Sequence, residues 1–241
     1  MTVQPHILLT PEQVSERVIL CGDPARVNRI AVLLTDAKPL ASNREFTSIT
    51  GELHGQRITV CSTGIGAPSA IIALEELIKC GAKYLVRVGS AGAYQSHIAL
   101  GDLIIAEAAV RDDGGSASYV PSNFPAVANR QLVNGLCDFM QHQAESYHCG
   151  LVRSHDSFYI DNELDICRKW HHFGVLGADM ETAALLTLGR LRHVAVASVL
   201  NNVVLYGEDV AAGINDYVSA EKAMMHGEML AARAALAALT Q

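Results

Sequence analysis

The chain reads as an α/β protein: a mostly parallel or mixed central sheet with helices on both faces. Three observations predict it. Short apolar runs recur at residues 18–22, 57–61, 84–88, 101–110 and 194–203, bounded by glycine or polar turn residues, and segments of helical character lie between them. The 241 residues are 50% hydrophobic and carry no low-complexity tract, repeat or linker, enough to bury a sizeable core as one domain over residues 1–241. Arginine, serine, asparagine and aromatic residues gather where the runs end, and ligands of such sheets sit beyond the carboxyl ends of strands.

Composition excludes several classes. A formal charge of −7 argues against nucleic acid or an anionic membrane as the main partner, so any anion must meet a local cluster of cations. Residues 1–10 lack a basic region followed by an apolar run, and no apolar stretch is long enough to cross a bilayer. Cys21, Cys61, Cys80, Cys137, Cys149 and Cys167 show no C-x-x-C spacing and read as buried free thiols of a cytoplasmic protein. His171-His172 has no third ligand at useful spacing and reads as structural or surface histidine, not metal.

Taken in order, Val18 to Gly22 is a strand, and Asp23-Pro24 starts a helix carrying Arg26, which reads either as a surface arginine or as a cation at a strand end. Arg44 lies just before a hairpin of residues 46–49 with 52–61, whose turn holds His54 and Gly55. Residues 57–61 run into Ser62-Thr-Gly-Ile-Gly66 and a helix from about Pro68 to Lys79, a turn able to offer N–H groups to an anion. Ser69 stands where a dinucleotide fingerprint needs its third glycine, no Gly-Lys-Ser/Thr follows, and the chain has no Gly-x-Ser-x-Gly elbow.

The stretch from Tyr84 to Ala93 is a buried strand interrupted by Arg87, whose guanidinium needs an anionic partner. That partner is either a carboxylate or a ligand; Gly89, Ser90 and Gly92 leave N–H groups and a hydroxyl free to face the same anion. Residues 101–110 form another strand, followed by a long loop to Pro125, then an amphipathic helix over 126–144 and a strand over 149–154. Phe158 and Tyr159 just beyond it are either core or the wall of a flat ligand. Asp179 reads as an N-cap with Glu181 in the first helical turn, there either for the helix dipole or for a sugar packed on Met180. A last strand, 194–203, ends in Asn201-Asn202, and an amphipathic helix spans 216–239.

Seven ordered motifs, Gly22-Asp-Pro-x-Arg-Val27, Asn43-Arg-Glu-Phe46, Ser62-Thr-Gly-Ile-Gly66, Arg87-Val-Gly-Ser-Ala-Gly92, Phe124-Pro-Ala-Val127, Asp156-Ser-Phe-Tyr159 and Met180-Glu181, together resemble the nucleoside phosphorylase family, closest to its uridine phosphorylase branch. The resemblance runs from about His6 to the last helix. It implies a three-layer α/β/α subunit in a hexamer built from dimers, and reversible phosphorolysis of a nucleoside to free base and ribose 1-phosphate. No organic cofactor is implied; inorganic phosphate is the co-substrate. By the resemblance, Gly22, Arg26, Arg87 and Ser90 hold phosphate with Arg44 of a neighbouring subunit. His6 of that neighbour meets the ribose 5′-hydroxyl, Met180 and Glu181 hold the sugar, and Phe158 packs near the base. Glu45, Ile65 and Ser69 match a monovalent-cation site between paired subunits, for which potassium is the expected ion; the same groups also make an ordinary interface bond network.

The base side departs from the uridine phosphorylase pattern. Asn162 and Leu164 stand where a glutamine and an arginine grip uracil, and Val203 replaces a further arginine. The purine branch places an aspartate near the end of the last strand, where this chain has Asn201 or Asn202. An asparagine bonds a base but cannot act as a general acid. Inosine or guanosine therefore rivals uridine. A nucleosidase using water, or a binder without catalysis, fits less well because Arg26, Arg44 and Arg87 are all present.

Overall fold

The apolar run at residues 18–21 is fully buried because it is flanked by strands on both sides. In a computed structural model, which describes residues 2–207 and 217–241, it forms β1 (Arg17–Cys21), paired in parallel with β4 (Gln56–Ser62) and β5 (Tyr84–Ala93). The carboxylate of Asp23 accepts from the Ala25 N–H at 2.8 Å, and Pro24 opens α1 (Pro24–Ala31), where no N–H is needed. β2 (Thr35–Asn43) and β3 (Phe46–Leu53) extend the sheet, joined by a two-residue turn with Arg44 at φ 54°. The next turn, His54-Gly55, has φ 51° and 74°, the positive pair a tight hairpin requires. The hairpin of β3 and β4 is present as expected, with β3 longer. β2 was not expected: its polar, Pro39-containing sequence suits only an exposed edge.

α2 (Ala67–Lys79) follows Gly64 and Gly66, at φ 68° and 91°. β6 (Leu103–Asp112) and a short α3 (Gly114–Ala117) come next. The helix expected over 126–144 starts late and ends early. Ala126 and Val127 form β7 (Ala126–Val127) against Ala108 and Ala109 of β6, and Asn129 caps α4 (Arg130–Met140) by accepting from the N–H groups of Gln131 and Leu132. β8 (Tyr147–His155), α5 (Glu163–His172), β9 (Gly177–Asp179), α6 (Thr182–Leu191), β10 (Ala195–Val204) and α7 (Tyr217–Thr240) complete the chain. Asp216, the expected start of the last helix, lies outside the described residues.

Five strands close on themselves. β5 pairs with β10, β10 with β6, β6 with β8, β8 with β9, and β9 back with β5. β1, β4, β3 and β2 then run outward from β5, so the sheet is mixed. Helices α2, α3 and α6 pack together on one side, and α4, α1 and α7 on the other, which is the layered α/β architecture. The thiols divide: Cys21, Cys61 and Cys80 are buried, Cys137 and Cys167 half-buried, and Cys149 exposed. Strand alternation places Cys149 with exposed Leu151 on the open face of β8, which corrects the expectation of burial. His171 Nδ1 donates to Tyr94 O at 2.8 Å, and the ring stacks on Tyr206 with centroids 4.5 Å apart. Among the described residues, no helix is long and apolar enough to cross a membrane.

Candidate active site

Arg87 sits in β5 between strands, only 3% exposed, so its charge must be answered locally. Asp179 at the end of β9 accepts from Nε at 3.0 Å, and Glu181 accepts from Nη2 at 2.5 Å. The sequence left a carboxylate or an external anion open as its partner. The structure supplies two carboxylates, and Nη1 remains buried without a hydrogen-bond partner among the described residues. Gly89 makes room: a Cβ there would come within 2.7 Å of Arg87 Nη2.

α6 starts two residues later than expected, so Asp179 and Glu181 both lie two positions further upstream of the helix. Glu181 occupies the N-cap position of α6 without capping it, while Asp179 accepts from the Thr182 N–H at 3.0 Å and from its hydroxyl at 2.6 Å. The Ser154 hydroxyl donates to Asp179 at 2.6 Å, and Thr182 Oγ1 lies 2.8 Å from Ser198 Oγ. Glu181, 4% exposed, accepts from the Gly66 N–H at 2.5 Å. The glycine-rich turn before α2 therefore does offer its N–H to an anion, and that anion is the protein's own carboxylate. Burial pushes the Glu181 carboxyl up; Arg87 opposes this and the like charge of Asp179 adds to it. Arg87 remains charged, because its two carboxylates outweigh the cost of burial. The two directions pull against each other on the state of Glu181. We give the carboxyl the upward shift, since one guanidinium faces two acids.

Arg26 reaches the same strand from α1. Its Nη1 donates to Val88 O at 3.0 Å and its Nη2 to Ser90 Oγ at 2.9 Å. Gly22 lies beside it, where Gly64 N–H donates to Gly22 O at 3.1 Å and a Cβ on Gly22 would meet Gly64 O at 3.4 Å. The structure thus brings Gly22, Arg26, Arg87, Ser90, Met180 and Glu181 together at the carboxyl ends of β1, β5 and β9.

Other expected residues make no side-chain bond to this cluster among the described residues. His6 binds Glu76 Oε1 through Nδ1 at 2.6 Å. Glu76 is ten residues beyond Gly66 in α2, roughly 15 Å along the helix axis. Arg44 is exposed at the β2–β3 turn. Next to it, Glu45 accepts from the Ser69 hydroxyl at 2.7 Å, which holds its carboxyl below the usual range, and Ile65 is 78% exposed. Phe158 and Tyr159 form an edge-to-face pair with centroids 5.0 Å apart and are 38% and 81% exposed, so they are not core. Asn162 sits at the start of α5 with no capping bond from its side chain.

Asn201 and Asn202 point to opposite faces of β10. Asn201 donates to Met224 O of α7 at 2.7 Å, and a Cβ on Gly227 would come within 2.3 Å of its Oδ1. Asn202 donates to Ala99 O at 3.0 Å, and its backbone N–H and carbonyl also bond the 99–102 turn, to Asp102 O and from the Gly101 N–H. It shares the face of Ser198, beside α6, and its Oδ1 is buried without a partner among the described residues.

One acid at the cluster was not read from the sequence. Glu228 of α7, 7% exposed, accepts from Arg26 Nε at 2.7 Å and from Arg29 Nε at 2.5 Å. Burial acts to raise its carboxyl, but the two arginines hold it below the usual range.

The chain is similar to several known proteins. A family model described as the phosphorylase superfamily matches residues 16–239. A guanosine phosphorylase of Halorubrum lacusprofundi is 36% identical over 207 residues, covering 85% of this chain and 86% of that protein. A uridine phosphorylase of Escherichia coli is 38% identical over 215 residues, covering 82% of this chain and 85% of that protein. Among solved structures, a uridine phosphorylase of Vibrio fischeri complexed with 6-hydroxy-1-naphthoic acid is 56% identical with a TM-score of 0.94, over 99% of this chain and 97% of that one. A purine nucleoside phosphorylase of Toxoplasma gondii in complex with immucillin-H is 31% identical with a TM-score of 0.90, over 99% of this chain and 96% of that one.

Proposed function

The chain belongs to the phosphorylase superfamily, and on that premise we propose that it is a nucleoside phosphorylase that cleaves a ribonucleoside, uridine first, with inorganic phosphate. The observation that supports this most is Arg87: two of its nitrogens are tied to Asp179 and Glu181, and the third is buried and unpartnered among the described residues, in the strand that also carries Ser90, the partner of Arg26. In this reading Gly22, Arg26, Arg87 and Ser90, with Arg44 of a neighbouring subunit, hold phosphate. Charge-assisted bonds are worth about 1.5–3 kcal/mol each, enough to set a phosphate oxygen beneath C1′. Glu181 receives the ribose hydroxyls beside Met180, and Phe158 flanks the base. A phosphate oxygen bonds to C1′ as the glycosidic C–N bond breaks, the base leaves with the bonding electrons and takes up a proton, and the dianion stabilises the oxocarbenium-like sugar. No covalent enzyme intermediate is required. A nucleosidase would have no use for the arginine cluster.

A 6-oxopurine is the second reading. It is favoured by Asn162, Leu164 and Val203, which supply none of the cationic donors that suit uracil carbonyls, and by the likeness to a guanosine phosphorylase. Both asparagines are tied through Nδ2, Asn201 to α7 and Asn202 to Ala99 O, and both keep a buried Oδ1 without a partner among the described residues; we assign the base to Asn202, which shares the face of Ser198, the residue bonded to Thr182. The test is base release from uridine, thymidine, inosine, guanosine and adenosine, each with and without phosphate. Phosphate-dependent release from uridine is expected; release without phosphate would overturn the assignment, and preference for inosine or guanosine would select the second reading.

Site sharing and a cation complete the proposal. Among the described residues neither His6 nor Arg44 bonds its own chain's Arg87 cluster, which suits donation to a neighbour in a dimer-based hexamer, within the cytoplasm. Glu45, Ser69 and the Ile65 carbonyl offer oxygen donors suited to potassium at that boundary. Sedimentation with activity, in potassium and in a tetramethylammonium buffer, tests both. An active monomer would remove the shared site, and equal activity and dimer content in the two buffers would remove the cation.

A further inference from the structure

We propose that Glu228 is a positioning residue for phosphate, holding Arg26 in the rotamer that presents it to the anion; this rests on the phosphorolysis reading above. Arg26 and Glu228 lie 202 positions apart in sequence and meet because α7 packs beside α1 against β5. A guanidinium carries five N–H donors in a fixed fork. In Arg26, Nε is taken by Glu228 at 2.7 Å, one hydrogen of Nη1 by Val88 O at 3.0 Å, and one of Nη2 by Ser90 Oγ at 2.9 Å. Among the described residues, one N–H therefore remains without a partner on each terminal nitrogen. Glu228 takes the nitrogen nearest the side-chain stem and leaves the terminal pair, so it orients the arginine without occupying the edge that an anion would use.

The carboxylate is itself held firmly. Arg29 grips both its oxygens, Nε to Oε1 at 2.5 Å and Nη2 to Oε2 at 3.1 Å, and the same Nη2 lies 2.9 Å from Asp23 Oδ2. Asp23 follows Gly22 and caps α1, so the chain of bonds returns to the turn where phosphate is proposed to sit. The helix that carries Glu228 is locked one residue away: Gly227 packs so closely that any Cβ there would approach Gly101 O within 2.6 Å, and Asn201 bonds Met224 O. A long arginine side chain loses rotamer freedom on binding unless it is already fixed, and pre-organisation of this kind appears as tighter ligand binding. α7 thus contributes to the phosphate site although it supplies no group that would touch phosphate.

The experiment is steady-state kinetics with phosphate and nucleoside varied separately, on the wild type, Glu228→Ala and Glu228→Gln, with the phosphate-induced rise in melting temperature measured in parallel. Glu228→Ala should raise the KM for phosphate by about tenfold or more while the nucleoside KM stays within about twofold, and it should lose most of the phosphate-induced thermal shift. Glu228→Gln, which can accept from only one arginine, should lie between. A phosphate KM unchanged or lowered in Glu228→Ala, or both KM values rising together, overturns the inference. If the alanine variant does not fold, the glutamine variant decides alone, and a phosphate KM within about twofold of wild type overturns it. A wild type that releases base without phosphate, and is not stabilised by phosphate, overturns the phosphorolysis reading itself and the inference with it.

Discussion

Arg87→Ala is expected to lower kcat/KM for phosphorolysis by roughly a thousandfold or more, with the KM for phosphate rising. Two losses add. The variant removes the buried donor proposed to meet phosphate, worth about 1.5–3 kcal/mol for each charge-assisted bond. It also leaves Asp179 and Glu181 without their common cation, so two unbalanced carboxyl groups remain where a dianion must bind and only Arg26 of this chain is left to answer it. The same change should cost about 3–5 kcal/mol of stability, because breaking a buried ion pair strands the remaining charges. Activity must therefore be read beside a denaturation curve. Arg87→Lys separates the terms: it restores the charge but, as a point donor, cannot serve both carboxylates and an anion at once. Unchanged phosphate kinetics in a folded Arg87→Ala protein would remove Arg87 from the phosphate site.

What the sequence made legible is what a few consecutive residues encode. Gly22 with Arg26, Arg87 with Ser90, and Met180-Glu181 each announce themselves as polar residues where an apolar run stops, and the sheet gathers strand ends without further information. The partners of those residues were harder. Asp179 reads as a cap and does serve one, but its bond to Arg87 depends on β9 lying antiparallel to the end of β5, a two-pair contact that periodicity cannot reveal. Ser154, Thr182 and Ser198 complete the acid's surroundings from three elements, each an unremarkable hydroxyl in sequence. Glu228 is one of two glutamates in an alanine-rich helix, where exposure is the ordinary expectation; only the docking of α7 makes it the counter-ion of two arginines.

The fold shows the same division. The longer buried strands were located to within a few residues because their apolar runs leave no alternative, whereas the equally buried β9, three residues long, was not. β2 escaped because an edge strand needs neither an apolar run nor freedom from proline, and β7 escaped because two residues carry no period at all. Ring closure through β5 and β10 is a long-range choice, settled by which faces remain to be covered after the helices pack.

Glu181→Ala should lower kcat/KM for a ribonucleoside by roughly 10²–10³-fold, through lost bonds to two sugar hydroxyls at about 1.5–3 kcal/mol each. The diagnostic substrate is the matching 2′-deoxynucleoside. With one hydroxyl gone, the penalty of the mutation should shrink by about tenfold, whereas a glutamate that only serves the α6 dipole would give equal penalties on both substrates. Glu181→Gln adds a pH test. Burial raises the carboxyl in the folded protein above its ordinary value of 4.5. The folded state then binds the proton more tightly than the unfolded one, so the stability tied to this group is fully present below the unfolded value and is lost as pH rises through the folded value. Wild type should lose melting temperature across that window relative to Glu181→Gln, which has no proton to lose. A difference running the other way would mean that Arg87 outweighs burial and keeps Glu181 ionised, leaving it a permanent acceptor for the ribose hydroxyls.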